Sequence, residues 1–164
     1  NRELMERFDE MLQKEPSLGY VYRLARESKR MLEATLHGDT QVMEQILEYA
    51  HNTETPLLSY NHEIELSAIV NLVYLSARDQ YRVEREDKAG KGYVDFIFYP
   101  IRESDDAIIL ELKVDHTPDE AIAQIKEKQY VKALEHYTGD ILLVGVNYDK
   151  DSKKHQCRIE RYKK

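Results

Sequence analysis

A chain of 164 residues is one domain's worth, and with 41% apolar and 34% charged residues it can build a core rather than stay disordered. A formal charge of −7 argues against a general nucleic-acid binder, and the lone cysteine, Cys157, excludes an internal disulfide framework or a cysteine-rich zinc site. No apolar run approaches the roughly 20 residues of a membrane span and no signal-peptide core is present, so the expectation is a soluble, cytoplasmic protein with no membrane partner. The chain starts at Asn1 rather than Met, as a piece of a longer protein would.

In chain order, residues 1–54 read as a helical packing or linking segment. Leu4, Phe8, Met11 and Leu12 recur at helical spacing until Pro16-Ser17-Leu18-Gly19 interrupts them. A second stripe, Val21, Leu24, Ala25, Ser28, Leu32 and Leu36, stops at Gly38, a natural residue just past a helix end. Asp39-Thr40 then caps a helix whose apolar face is Val42, Met43, Ile46, Leu47 and Ala50. The polar stretch 51–56, ending in Pro56, marks a boundary, and residues 55–164 form the second unit.

Ser59 or Asn61 can cap a helix reaching about Ala77, with Leu66, Ile69, Val70, Leu72, Val73 and Leu75 as its apolar positions. The period then changes to two. Residues 80–85 alternate weakly, 93–99 are aromatic and β-branched, and 107–114 are almost continuously apolar. The polar stretch 100–106 suits a hairpin. Pro118 opens a helix with Ala121, Ile122, Ile125, Leu134 and Tyr137 on its buried side, closed by Gly139-Asp140. Strands at 141–146 and 157–162 complete the order helix, three strands, helix, two strands. That is an α/β sandwich with a mixed sheet, since adjacent strands make hairpins and a strand–helix–strand unit makes a parallel crossover.

Charge is uneven along this order. Residues 121–164 carry a net +4, which leaves −11 for residues 1–120, so the C-terminal end is the part suited to a phosphate backbone.

The chemistry concentrates in Ala107-Ile108-Ile109-Leu110-Glu111-Leu112-Lys113-Val114. A strand this apolar is buried on both faces, yet it carries two charges, and period two puts Glu111 and Lys113 on one face with Leu110, Leu112 and Val114 on the other. On the preceding strand Asp95 interrupts Tyr93, Ile97 and Tyr99 on one face, and a hairpin can set Asp95 opposite Glu111. Two carboxylates on one face raise each other's pKa unless a cation lies between them, and a hard divalent ion such as Mg²⁺ resolves that conflict. A half-exposed Glu111–Lys113 ion pair and an Asp95 that serves a turn are the bland alternatives.

Asp95 followed by Glu111-Leu112-Lys113 resembles the signature of the PD-(D/E)XK nuclease superfamily, with Val94 where that signature has proline. Gly90-Lys91-Gly92-Tyr93-Val94-Asp95, Leu110-Glu111-Leu112-Lys113 and Ala121-Ile122-Ala123-Gln124-Ile125 resemble, over about residues 55–162, the nuclease-like domain at the C-terminal end of bacterial AAA-ATPase-like proteins. The resemblance implies a restriction-endonuclease-like α-β-β-β-α-β core preceded by a helical N-terminal segment. It implies Mg²⁺ or Mn²⁺ held by Asp95, Glu111 and the backbone carbonyl of Leu112, with Lys113 serving the attacking water and Gln124 a polar residue near the site. It implies an acid on the first core helix as well. Glu65 is preferred over Glu63, because it precedes Ile69 and Leu72 on the inward stripe whereas Glu63 suits the helix dipole. The implied partners are nucleic acid, DNA ahead of RNA, and an ATPase-like domain of the same longer chain. No Gly-rich Lys-Ser/Thr loop occurs in this stretch, so ATP binding of the P-loop kind is not expected of it. Around this set, His62, Lys128 and Tyr130 are weaker candidates, each as readily a surface residue. Three functions stay open: a metal-dependent nuclease, a non-catalytic interaction or sensor module, and a structural domain with a satisfied buried charge network.

Overall fold

The computed structural model describes residues 2–3, 6, 16–52, 63–88, 93–128 and 134–163. Helices α1 (Pro16–His37), α2 (Thr40–Asn52) and α3 (Glu63–Val73) precede strands β1 (Tyr81–Lys88), β2 (Tyr93–Pro100) and β3 (Ala107–Val114). Helix α4 (Pro118–Glu127) and strands β4 (Ile141–Asp149) and β5 (Lys154–Tyr162) follow. The five strands form one sheet in the order β1-β2-β3-β4-β5, parallel between β3 and β4 and antiparallel elsewhere. The expected order of elements and the mixed sheet are therefore present, and the α/β fold has the organisation of a restriction-endonuclease-like core.

The sheet divides two apolar layers. Phe96, Phe98, Ile108, Leu110, Leu112, Leu142, Val144 and Val146 face Met31, Leu32, Met43, Ile46, Leu47, Leu66, Ile69 and Val73 of α1–α3. On the reverse face Ala107, Ile109, Ile141 and Leu143 pack against Ile122 and Ile125 of α4 and against Leu134. Every side chain of β3 is buried. At about 25 cal/mol per Å² of apolar surface removed from water, such two-sided burial makes β3 and β4 the thermodynamic centre of the molecule.

Local chemistry sets most of the boundaries. Gly38 (φ 73°) ends α1 in the left-handed conformation, with Gly38 N–H bonded to the Thr35 carbonyl and Asp39 N–H to the Ala34 carbonyl. Asp39 Oδ1 then accepts the Val42 N–H at 3.2 Å, the cap expected for α2. Helix α1 begins at Pro16 instead of Val21, because a proline that would break a helix interior is at home in its first turn. Helix α3 ends at Val73, short of the expected Ala77, and a 3₁₀ turn (Leu75–Asp79) takes over. Tyr74 leaves the helix there and sends its hydroxyl to Thr35 Oγ1 (2.7 Å), which itself donates to the Met31 carbonyl (2.8 Å). Ser59 and Asn61, the alternative caps of α3, lie outside the described residues. Helix α4 ends at Glu127 where the periodicity predicted a run to Tyr137; Leu134 and Tyr137 keep the helical spacing but join the same layer from a separate turn.

Edge strand β5 is covered by α2: Glu48 accepts the backbone N–H of His155 and Glu44 that of Cys157, both at 2.8 Å. Two carboxylates one helical turn apart thus satisfy alternate donors of an otherwise open edge. Burial pushes the Cys157 thiol up, in keeping with a packing role.

Candidate active site

The α4 face of the sheet carries the charged residues. Asp95 and Glu111 are register partners across β2 and β3, and in an antiparallel pair opposed residues share a face. Their ladder ends at this pair, although β2 begins two residues earlier at Tyr93 and β3 continues to Val114. Acidic positions therefore sit where the two strands part, a place in a packed sheet where backbone and side-chain oxygens gain room. The Asp95 side chain itself lies outside the described residues.

Glu111 is fully buried, and Lys113 is 5% exposed. Burying a carboxylate costs several kcal/mol unless opposite charge and hydrogen bonds compensate it. Part of that compensation comes from Lys128 at the C-cap of α4, whose Nζ reaches Glu111 Oε1 at 3.0 Å and Oε2 at 3.2 Å. Gln124, one turn earlier on α4, has a buried Oε1 that accepts no hydrogen bond from any described residue. A buried acceptor without a donor costs about 1–3 kcal/mol and asks for a ligand-borne partner.

Two residues of β4 complete the floor. Gly145 is the register partner of Glu111 and Asn147 that of Lys113. At Gly145 the first turn of α4 lies on the sheet so closely that a Cβ would stand 2.3 Å from the Pro118 carbonyl oxygen. Asn147 is buried; its Oδ1 accepts the His116 N–H and its Nδ2 donates to Gln156 Oε1, each at 3.0 Å. It thereby ties the turn after β3 to β5, beside Lys113. Asp115 in that turn has φ 59°, and its carboxyl is held below its ordinary value chiefly by the Lys150 backbone N–H.

Sequence reasoning did not single out Gly145 or Asn147 and left Lys128 as a surface alternative. A glycine inside an apolar strand signals close backbone approach, and the four-residue spacing from Gln124 sets Lys128 on the same helix face. Glu65 and its competitor Glu63 open α3, whose buried residues Leu66, Ile69 and Val70 pack on the opposite layer from Glu111; the side chains of both acids, like His62 and Tyr130, lie outside the described residues. Leu112 presents its side chain to the α1–α3 layer, which leaves only its backbone for the site. Three basic residues of the C-terminal end are in ion pairs: Arg161 with Asp106 (2.8 Å) and Asp140 (3.0 Å), Arg158 with Asp119, and Lys150 with Asp115 (3.4 Å).

The profile of the PD-(D/E)XK nuclease superfamily matches residues 63–157, more than half of the chain. The chain belongs to this superfamily. The match runs from the start of α3 into β5, so it takes in both carboxylate positions, Lys113, Gln124 and Lys128. A PD-(D/E)XK nuclease domain has a nuclease-like function, implies nucleic-acid binding and typically uses divalent metal ions. No curated protein matches the chain. Among the described residues no three His, Cys, Asp or Glu side chains converge on one metal position. The donor set at the strand fork is the smaller one that Mg²⁺ accepts: one or two carboxylates, with waters and substrate phosphate supplying the rest. The Gln124 oxygen, one helical turn from Lys128 and without a donor among the described residues, fits a hydrated ion, whose waters are donors. No helix among the described residues is long and apolar enough to cross a membrane.

Proposed function

We propose that this domain is a metal-dependent phosphodiesterase that hydrolyses nucleic acid, DNA ahead of RNA, with Mg²⁺ or Mn²⁺ at Asp95 and Glu111. The observation that carries this reading is the opposition of Asp95 and Glu111 at the point where β2 and β3 part, with Lys113 two residues on along the same face. Two acids and a lysine on one buried face are costly for a fold and useful for phosphoryl chemistry.

In this reading Asp95, Glu111 and the Leu112 carbonyl hold the ion. When bound, the ion supplies Lewis acidity, which acidifies a water and offsets charge on the phosphoryl oxygens. Lys113, kept in place among buried neighbours, orients that water or stabilises the phosphorane-like transition state. Gln124 Oε1 accepts a hydrogen bond from the attacking water, and Glu65, at the start of α3, is the acid that the family resemblance adds. The close seat of α4 on Gly145 keeps bulk water from the Glu111 side. The domain is read as residues 55–164, and residues 1–54 as the helical connection to an ATPase-like domain of a longer bacterial, cytoplasmic chain.

Calorimetric titration of Mg²⁺ and Mn²⁺ into wild type, Asp95→Ala and Glu111→Gln, followed by incubation with labelled single- and double-stranded DNA and RNA, tests the proposal. Binding and cleavage confined to wild type are expected. A folded wild type that binds no divalent ion refutes it.

One observation favours a second reading, a non-catalytic nucleic-acid or protein interaction module: Glu111 already has a cationic partner in Lys128. That module retains partner affinity in Lys113→Ala and shows no metal-dependent cleavage.

A further inference from the structure

The Lys128 ammonium stands astride the Glu111 carboxylate, 3.0 Å from one oxygen and 3.2 Å from the other. That is where a cation binding this carboxylate through both oxygens has to come. Lys128 is also placed to leave. It sits at the C-cap of α4, its side chain keeps 16% of its surface exposed, and a four-carbon stem carries the charge on rotatable bonds. Glu111, with no exposure, cannot move to meet solvent. The pair is therefore asymmetric: a fixed anion and a movable cation.

We propose that Lys128 is a positioning residue that serves as the exchangeable counter-ion of Glu111, holding the carboxylate aligned until a divalent ion displaces the ammonium. This rests on the metal reading above and adds that metal affinity is set by competition within the chain. Like charges repel strongly at such range, so the ion and the ammonium exclude each other from Glu111. The arrangement adds to the compensation of a buried charge in the metal-free state, at the cost of weaker metal binding.

The test is a Mn²⁺ titration at pH 8, above the carboxylate range, of the 164-residue chain as wild type, Lys128→Met, Lys128→Arg and Glu111→Gln. Lys128→Met should bind Mn²⁺ about tenfold or more tightly than wild type, because the competing charge is gone. Lys128→Arg, which keeps that charge, should stay near wild type. In EDTA the methionine variant should melt below wild type, and saturating Mn²⁺ should narrow the gap; a purely structural lysine leaves the gap unchanged. Equal or weaker Mn²⁺ binding by Lys128→Met overturns the proposal. Wild type without Mn²⁺ binding, or Glu111→Gln binding as tightly as wild type, overturns the metal reading and this inference with it. If Lys128→Met does not fold, amine acylation of wild type decides: Lys128 should react several-fold faster with Mn²⁺ than without, and an unchanged rate refutes displacement.

Discussion

Replacing Gly145 by alanine tests how the floor of the site is built. The added Cβ would lie 2.3 Å from the Pro118 carbonyl oxygen, 3.1 Å from its carbon and 3.1 Å from the Ala121 Cβ. Carbon–oxygen contacts ordinarily close at roughly 3.3 Å, so the first turn of α4 has to retreat by about 1 Å. It cannot do so freely. Thr117 Oγ1 caps that turn through the Glu120 N–H at 3.1 Å, and Ala121, Ile122 and Ile125 are sealed against the sheet. Overpacking of this kind costs about 1–3 kcal/mol, of which the better strand propensity of alanine returns about 0.5 kcal/mol. For a chain of this length that is a fall in Tm of roughly 2–10 °C. Gly38→Ala is the control: nothing lies within 4 Å of its Cβ, and only φ 73° opposes it, a strain of about 1 kcal/mol. Urea unfolding of wild type and both variants, at matched m-values, gives the comparison. Gly145→Ala should lose more stability than Gly38→Ala, and Mn²⁺ affinity should change only in Gly145→Ala, since α4 carries Lys128. A Gly145→Ala protein as stable as wild type would refute the close seating of α4.

Other substitutions probe the opposite layer and the charge pair. His155 is buried between Glu48, His51 and Tyr148, with Lys153 also near His51, and burial outweighs Glu48 to lower its pKa from 6.5 to about 4. Its neutral form is the folded one, so this stability is complete above pH 6.5 and is lost as pH falls towards 4, about 3 kcal/mol in all. Urea midpoints from pH 7.5 to 4.5 should fall more steeply in wild type than in His155→Gln, and parallel curves would contradict the assignment. Thr35→Val should cost about 1–3 kcal/mol by stranding the Tyr74 hydroxyl, against about 1 kcal/mol for Tyr74→Phe, which leaves Thr35 its Met31 acceptor; denaturation curves rank the two. The double variant Glu111→Leu/Lys128→Met should match or exceed wild-type stability while losing Mn²⁺ binding. A double variant several kcal/mol less stable would instead favour a purely structural charge network.

Most of the fold was legible because its elements announce themselves locally. The apolar run of β3 spans its strand and that of β4 marks all but its last three residues, and Gly38, Asp39 and Pro118 mark helix ends by backbone chemistry that needs no distant partner. Two of the misjudged boundaries depend on such a partner. Tyr74 leaves α3 to reach Thr35, 39 residues away, and β5 starts earlier than its apolar residues because Glu48 and Glu44 of α2 accept its backbone donors. The overlong α4 shows the limit of periodicity: Leu134 and Tyr137 hold helical spacing yet reach the same core from a different element.

The site divides along the same line. Charges inside an apolar strand are visible in one dimension, so Glu111, Lys113 and, through the hairpin register, Asp95 could be found by alternation alone. Lys128 was only a weak candidate on its spacing from Gln124, since a lysine near the end of an amphipathic helix is by default a solvated one. Its meaning arises only when the crossover from β3 to β4 lays the end of α4 over Glu111, 17 residues earlier. Gly145 belongs to the same geometry, because without a side chain it lets the first turn of α4, around Pro118 and Ala121, settle on the sheet. The absence of one Cβ on β4 and the presence of one ammonium on α4 are thus two parts of a single device. It allows a core strand to keep a buried acid that the fold, left to stability alone, would do as well without.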